Sequence, residues 1–268
     1  MENSIFLKGR LRIAVTLPYR LILGITGVNP INILASIRGL LGYIKDLIQY
    51  ISAQSSSNSF NIHLHHLHPF LSDRYSDAGV AKGDYFHQDL WVARKIYEEQ
   101  PKEHWDVGSR IDGFVAHLLT FRSINVIDIR KLESDLEGLN FYQGDVTSLD
   151  LPDGSISSLS CLHAMEHIGL GRYGDPIDPM GHIKGILELQ RILAPNGKLF
   201  FSVPIGRERV EFNAQRVFDP NTIIKAFSEL NLIDFAAVNE AGNLIYPADY
   251  SDFQKVRRAC GIFVFQKS

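Results

Sequence analysis

Between His104 and Asp128 the chain reads as a strand, a glycine-containing turn, a helix and a second strand that ends in an acid. His104-Trp105-Asp106-Val107 is a short apolar-and-acid run, and Gly108, Ser109, Arg110, Ile111, Asp112 and Gly113 form the turn. Phe114-Val115-Ala116-His117-Leu118-Leu119 resumes at helical spacing, and Ile124-Asn125-Val126-Ile127 leads into Asp128. The acid falls about twenty residues after the first glycine, the spacing at which a βαβ unit sets a carboxylate against ribose hydroxyls. The stretch predicts a nucleoside site, set against a strand, turn and helix with no ligand at all.

The glycines bear on which nucleoside. A pyrophosphate needs backbone NH groups at a helix start and a G-x-G-x-x-G turn that admits the phosphates closely. Here only Gly108 and Gly113 remain, Arg110 stands where the middle glycine would be, and Asp106 would repel a diphosphate. An acid opening the turn suits a ligand that carries an ammonium and a sulfonium.

A chain of 268 residues can bury a sizeable core, and 45% hydrophobic with 21% charged residues is ordinary for a soluble globule. A formal net charge of -3 supplies no basic footprint for nucleic acid. Cys161 and Cys260 lie in apolar, strand-like runs and no cleavable signal pattern precedes them, so two buried thiols in a reducing, cytoplasmic setting are expected.

Residues 1–58 read as a helical extension with a linker. Asn29 as N-cap and Pro30 at the first helical position open the stripe Ile31, Leu34, Ile37, Leu41, Ile44, Ile48 and Ile51. No uninterrupted apolar span reaches the roughly 20 residues needed to cross a membrane. The expected roles of the 30–52 helix are packing on its own domain, pairing in a homodimer, or peripheral contact with a membrane surface. Gln54 to Ser59 reads as the linker, placing an α/β domain at 59–268.

His63, His65, His66 and His68 form a cluster, but in an extended segment they alternate faces and do not converge, so no metal site is expected. A helix beginning near Gly83 runs through Trp91, Ile96 and Tyr97 to a stop before Pro101, its polar residues facing either the site or solvent. Beyond Asp128 the reading gives a short helix, a third strand with Gly144-Asp145-Val146 at its end, a turn at Pro152-Asp153-Gly154, and a strand from Ser155 to Leu162. That strand delivers His163, Glu166 and His167 to the carboxyl edge of the sheet, where ligands bind in open α/β folds. Gly169 to Pro179 is a polar glycine- and proline-rich loop, and a second polar insertion carries Asn213 and Arg216. Helices over 183–193 and 220–230 and strands over 198–203, 232–238 and 261–266 complete the pattern.

From His104 to Pro204 the order resembles the class I S-adenosylmethionine-dependent methyltransferases. Asp106-Val107-Gly108-Ser109-Arg110 looks like their first motif, Asp128 like their ribose acid, and Gly144-Asp145-Val146 like their adenine-edge motif. Met165-Glu166-His167 resembles their Leu-Glu-His, and Leu193-Ala194-Pro195-Asn196-Gly197 their proline-glycine turn before a strand. Over Gly83 to Phe218 the chain is more similar still to a methyltransferase-like family known as domain of unknown function 268. Tyr85-Phe86-His87-Gln88-Asp89-Leu90, Asp106 to Phe114, Glu166 to Asp175, and Asn213 with Arg216 carry that resemblance.

The resemblance implies a Rossmann-like class I methyltransferase fold, a mostly parallel seven-stranded sheet with helices on both faces. It implies S-adenosylmethionine as cofactor, held by Asp106, Gly108, Ser109, Arg110, Asp128, Asp145, Val146 and Cys161. Arg110 is shared within the family, and an altered cofactor pose and lost cofactor binding both stay open. His167 is the expected base, with Glu166 orienting it or binding the acceptor and His163 as the alternative; a Glu-His that only braces the sheet edge is the plainer reading. Arg172, Tyr173, Asp175, Asn213 and Arg216 form the expected acceptor shell, suited to a polar or anionic small molecule such as a sugar or glycan intermediate. The rival to a methyltransferase is a non-catalytic binding or scaffold protein on the same fold.

Overall fold

The structure, a computed structural model, describes residues 23–27, 30–53, 62–75 and 79–268. The Asn29 cap, most of the run 11–28 and the serine linker lie outside the described residues. Contacts divide the chain after Val80 into two compact units.

The first unit holds helix α1 (Pro30–Ala53). Ile37, Leu41, Ile48 and Ile51 of its apolar stripe are exposed. Residues 62–75 group with this helix instead of opening the α/β domain; they form two short 3-10 turns, the second of which has its partners on α1. Arg74 pairs with Asp46, and the Arg38 guanidinium lies 4.4 Å from the centre of the Tyr75 ring. The histidine segment is not extended as expected. A turn over Leu64–His66 folds it, setting the His65 and His66 rings edge to face with centres 4.1 Å apart, and no group of metal-holding geometry occurs among the described residues. No described helix is long and apolar enough to cross a membrane.

The second unit, Ala81–Ser268, is an α/β sheet domain. Helix α2 (Asp84–Glu99) leads into β1 (Trp105–Val107), and a π-helical turn (Ile111–Val115) runs into the short α3 (Ala116–Leu119). Strands β2 (Ile124–Asp128), β3 (Leu139–Gln143) and β4 (Ile156–Leu162) follow. The short helix expected between β2 and β3 is absent; residues 129–138 are irregular. Helix α4 (Gly181–Ile192), β5 (Leu193–Ile205), the ribbon β6 (Arg209–Glu211) and β7 (Gln215–Val217), and α5 (Pro220–Ala226) come next. The last strands are β8 (Leu230–Val238), β9 (Leu244–Ile245) and β10 (Ala259–Lys267).

The main sheet runs β3-β2-β1-β4-β5-β10-β8-β9. β1 to β5 are mutually parallel where they pair, and β10 lies antiparallel between β5 and β8. This is the mostly parallel, Rossmann-like class I methyltransferase arrangement, with β9 as an eighth strand hairpinned onto β8. The sequence gives no alternation over two residues, so β9 was not foreseen.

Side chains alternate between two cores as the strand period requires. Phe201, Phe263 and Phe265 pack with Ile186, Leu189 and Phe227 of α4 and the end of α5 on one face. Phe200, Ile262 and Val264 pack with Val92 and Ile96 of α2 and Leu118 of α3 on the other. Each face is thus closed by helices, which leaves the strand ends as the place for a site. α5 starts where Asp219 caps it, accepting from the Asn221 amide at 2.8 Å with Pro220 preset for the first turn.

Candidate active site

The strand order reverses at β1, which has β2 on one side and β4 on the other. A crevice at the carboxyl ends of such strands is where open α/β sheets place ligands. A cavity of about 560 Å³ opens there, within the range of small-ligand clefts.

Its floor is the turn after β1. Gly108 has φ +71°, and a Cβ added there would sit 3.0 Å from Ala164 Cβ, so both backbone and space require glycine. Asp106 does not reach the cavity, contrary to its expected cofactor contact. It is fully buried, takes the Ser109 amide at 3.0 Å and hydroxyl at 2.6 Å, and also accepts from Ser160. Burial pushes its carboxyl up to about 6. Ser109 in turn accepts from the Leu162 amide at 3.1 Å, so this acid braces the turn against β4.

Arg110 lines the cavity but leans outward, paired with Asp112 at 3.0 Å and lying over the Tyr85 ring. Its φ of -69° is ordinary, so this turn has no need of a middle glycine. The helix that follows opens with a π-helical turn, a wider geometry than the tight glycine turn a pyrophosphate requires.

Asp128 stands at the β2 end in the cavity wall. Its Oδ1 accepts from the Arg130 amide at 2.8 Å and Nε at 3.0 Å, and Oδ2 from Nη2 at 2.7 Å. Arg130 also stacks on Tyr173, 4.4 Å from the ring centre. Asp145 gives one oxygen to the Thr147 amide and hydroxyl, both at 2.8 Å. Val146 and Cys161 complete the apolar wall, and both cysteines are free, buried thiols, as expected.

The three residues after β4 divide by role. His167 lines the cavity, yet its Nδ1 donates to the Ala214 carbonyl at 2.7 Å and its Nε2 faces Glu166 Oε1 at 3.6 Å. Its Nδ1 is thus engaged with the protein's own main chain, and its Nε2 lies beyond hydrogen-bond distance of the carboxyl. Glu166 is fully buried outside the cavity lining, and neither carboxyl oxygen has a hydrogen-bond partner. Burial pushes its carboxyl up to about 8 and holds the His167 imidazole down to about 4. His163 also lines the cavity, with φ +50°, a strained value for a residue with a side chain. Its Nδ1 meets Gln88 Oε1 at 2.6 Å, while Nε2 has no partner. Burial holds its pKa down to about 3, so the ring is neutral at pH 7.

The expected acceptor shell is mostly scaffolding. Asp175 lines the cavity but gathers the amides of Gly169 at 2.7 Å and of Gly171 and Tyr173 at 3.2 Å, which shapes the loop. Arg216 is buried away from the cavity and donates to the Ile168 carbonyl at 2.6 Å, tying β7 to that loop. Arg172 donates to the Ala214 carbonyl at 2.9 Å, and Asn213 is exposed at the ribbon turn. Of the five, Tyr173 and Asp175 alone line the cavity. Tyr85, Gln88 and Arg130 were not in the expected set. Gln88 sits four residues before Val92 and eight before Ile96, on the buried stripe of α2, and that polar residue on an apolar stripe was the available signal.

Residues 153–244, from the turn before β4 to β9, match the family described as Caenorhabditis protein of unknown function, DUF268. Over this segment, about a third of the chain, the sequence is similar to that family. The matched part includes Glu166, His167, the Gly169–Pro179 loop and Arg216, whereas the turn at Gly108 lies before it. No curated protein matches the chain in sequence. Among solved structures, the N-methyltransferase NodS of Bradyrhizobium japonicum, in complex with S-adenosylhomocysteine, is similar at 12% identity and TM-score 0.48, covering 69% of this chain and 88% of that one. The 1,6-didemethyltoxoflavin-N1-methyltransferase of Burkholderia thailandensis, with its substrate and S-adenosylhomocysteine bound, is similar at 14% identity and TM-score 0.46, covering 67% and 78%. SpnF, a cyclase, is similar at 14% identity and TM-score 0.48, covering 67% and 81%. Chemistry is decided by the side chains of the site, not by such likeness.

Proposed function

We propose that the α/β unit is an S-adenosylmethionine-dependent methyltransferase acting on a small polar molecule through a group that carries an N–H or O–H. The observation that carries this reading is one cavity at the β1/β4 reversal whose wall joins Gly108, Asp128, Asp145 and His163. The residues fit the group. Gly108 permits close backbone approach, Asp128 keeps an acceptor position for a ribose hydroxyl, and Asp145 keeps an oxygen beyond its Thr147 bonds for the adenine edge. The arginine in the turn and the π-helical opening disfavour a dinucleotide.

When bound, S-adenosylmethionine supplies a methyl on a sulfonium sulfur, which keeps the bonding pair as a thioether. The chain's own work is to align the acceptor and receive its proton. His163 Nε2 is a buried imidazole nitrogen of a cavity-lining residue with no hydrogen-bond partner, and its lone pair accepts the hydrogen bond that aims the acceptor. As the acceptor's own lone pair forms the new bond to carbon, positive charge develops on it; the oxonium of an oxygen acceptor is a stronger acid than the His163 imidazolium and passes its proton to that nitrogen, whereas an ammonium keeps its proton until release. The finer reading of a sugar or glycan acceptor rests on Arg172, Asp175, Asn213 and Arg216. With both arginines and Asn213 outside the cavity lining and Asp175 alone of the four in it, the supported acceptor class is a protic nucleophile.

One observation favours a second reading, a binding protein that has retired the site: Arg130 already occupies Asp128 on both oxygens. Calorimetric titration with S-adenosylmethionine, S-adenosylhomocysteine and NAD separates the two. Selective binding of both adenosyl ligands is expected, and binding of none overturns the methyltransferase reading.

A further inference from the structure

We propose that Gln88 is a positioning residue that holds His163 in the Nδ1–H tautomer, so that the Nε2 lone pair is the one offered to the acceptor. This rests on His163 as the acceptor-side residue, and it concerns a helix that ends far from β4 in sequence. Four bonds set the geometry. Gln88 Nε2 donates to Asp89 Oδ1 at 2.9 Å, which fixes the amide with Oε1 toward the sheet. That oxygen accepts from Ser202 at 2.5 Å and meets His163 Nδ1 at 2.6 Å, with the Cys260 sulfur at 3.7 Å. An oxygen with no hydrogen can only accept, so the imidazole must carry its proton on Nδ1. The main chain of His163 is fixed by the same strand, its amide donating to the Ser202 carbonyl at 2.9 Å and lying 3.2 Å from the hydroxyl.

The anchor of this chain reaches the turn after β1. Asp89 is buried, and a Cβ added at Gly113 would lie 2.6 Å from its Oδ2. Gln88 and Asp89 therefore lie between the turn after β1 and the end of β4, in contact with both. A buried nitrogen without a partner is costly, and the cost falls away when a ligand donates to it. The ligand consistent with this nitrogen presents a donor hydrogen, which a thioether or carboxylate acceptor lacks.

The test is a long-range proton–nitrogen correlation spectrum of the imidazoles in the full chain without ligand, His163 being assigned by its loss in His163→Asn. Wild type is expected to show a protonated Nδ1 and a bare Nε2, Gln88→Met to lose that single tautomer, and Gln88→Glu, which retains an acceptor oxygen, to restore it. A protonated Nε2 in wild type, or an unchanged tautomer in Gln88→Met, overturns the proposal. If Gln88→Met does not fold, Gln88→Glu decides, because a carboxylate against Nδ1 raises the His163 midpoint by about one pH unit or more. The other groups that act on the ring, Arg258 on the approach to β10, His167 after β4 and Tyr85 on α2, and Asp89 and Cys260 beside the Gln88 side chain, are the same in both proteins, so an unchanged midpoint overturns it. The spectrum needs no cofactor, so its failure is separate from failure of the calorimetric test.

Discussion

Asp128 and Arg130 give the sharpest test of the site. A carboxylate offers about four acceptor positions, and Arg130 fills three of them with its amide, Nε and Nη2. One position on Oδ2 remains for a ribose hydroxyl, and a second hydroxyl bond requires the guanidinium to give way. The Arg130 side chain is 52% exposed and that of Asp128 16%, so the ion pair belongs to the solvated class, worth about 0.2–1 kcal/mol. Arg130→Met removes two of the three donors and should tighten S-adenosylhomocysteine binding by up to about fivefold. Asp128→Ala removes the charged acceptor and should weaken binding by about 1–3 kcal/mol, roughly 5- to 150-fold in Kd. Calorimetry on both variants reads the two signs. Unchanged affinity in Asp128→Ala refutes the ribose assignment, and a loss of affinity in Arg130→Met shows that the guanidinium belongs to the binding surface and is not a competitor.

Gly108→Ala is expected to cost about 1–2 kcal/mol for its left-handed backbone, before any movement of Ala164, and to abolish adenosyl-ligand binding. Calorimetry and thermal unfolding check the two halves. Glu166 gives a pH signature. Its carboxyl titrates at about 8 in the folded chain against an ordinary 4.5, so the folded state binds the proton more tightly. Its stabilising contribution is complete below pH 4.5 and is lost as pH rises toward 8. Glu166→Gln should remove that decline, so the stability of the variant relative to wild type rises across the window; a constant difference in denaturation midpoints from pH 5 to 8 refutes the assignment. The buried histidines act in the other direction. The His163 and His167 pKa values are lowered from 6.5 to about 3 and about 4, so their contribution is lost as pH falls below 6.5.

The parallel strands β1 to β5 and the cavity floor were legible because they rest on local signals: a glycine at a left-handed turn, an acid at a strand end, apolar runs of strand length. Asp128, Asp145, Val146 and Cys161 line the cavity wall. The residues that misled were those with several donors. Arg172, Arg216 and Asp175 look in sequence like ligand groups, since charge in a polar loop is what a substrate would need. In three dimensions the same donors and acceptors are spent on backbone: Asp175 on three loop amides, Arg216 on the Ile168 carbonyl and Arg172 on that of Ala214. A loop rich in glycine and proline makes few hydrogen bonds of its own, so something must satisfy its main chain. The polar side chains beside it do that first.

The same accounting explains why the two histidines after β4 exchange roles. Sequence favours His167, next to an acid and within a familiar triplet, but adjacency along the chain puts Glu166 and His167 on a 3-10 turn beneath the ribbon, where Ala214 takes the Nδ1 proton. His163 has no polar neighbour in sequence. The partner of its ring comes from α2, 75 residues earlier, and that of its amide from β5, 39 residues later, and only the folded sheet brings both to one residue. A base is made by which nitrogen is left over once the protein's own bonds are counted, and that count is tertiary. On it, the helix before the first strand belongs to the site as much as the motifs that follow: remove Gln88 and the fold still has its cavity, but the lone pair that faces the acceptor is no longer specified.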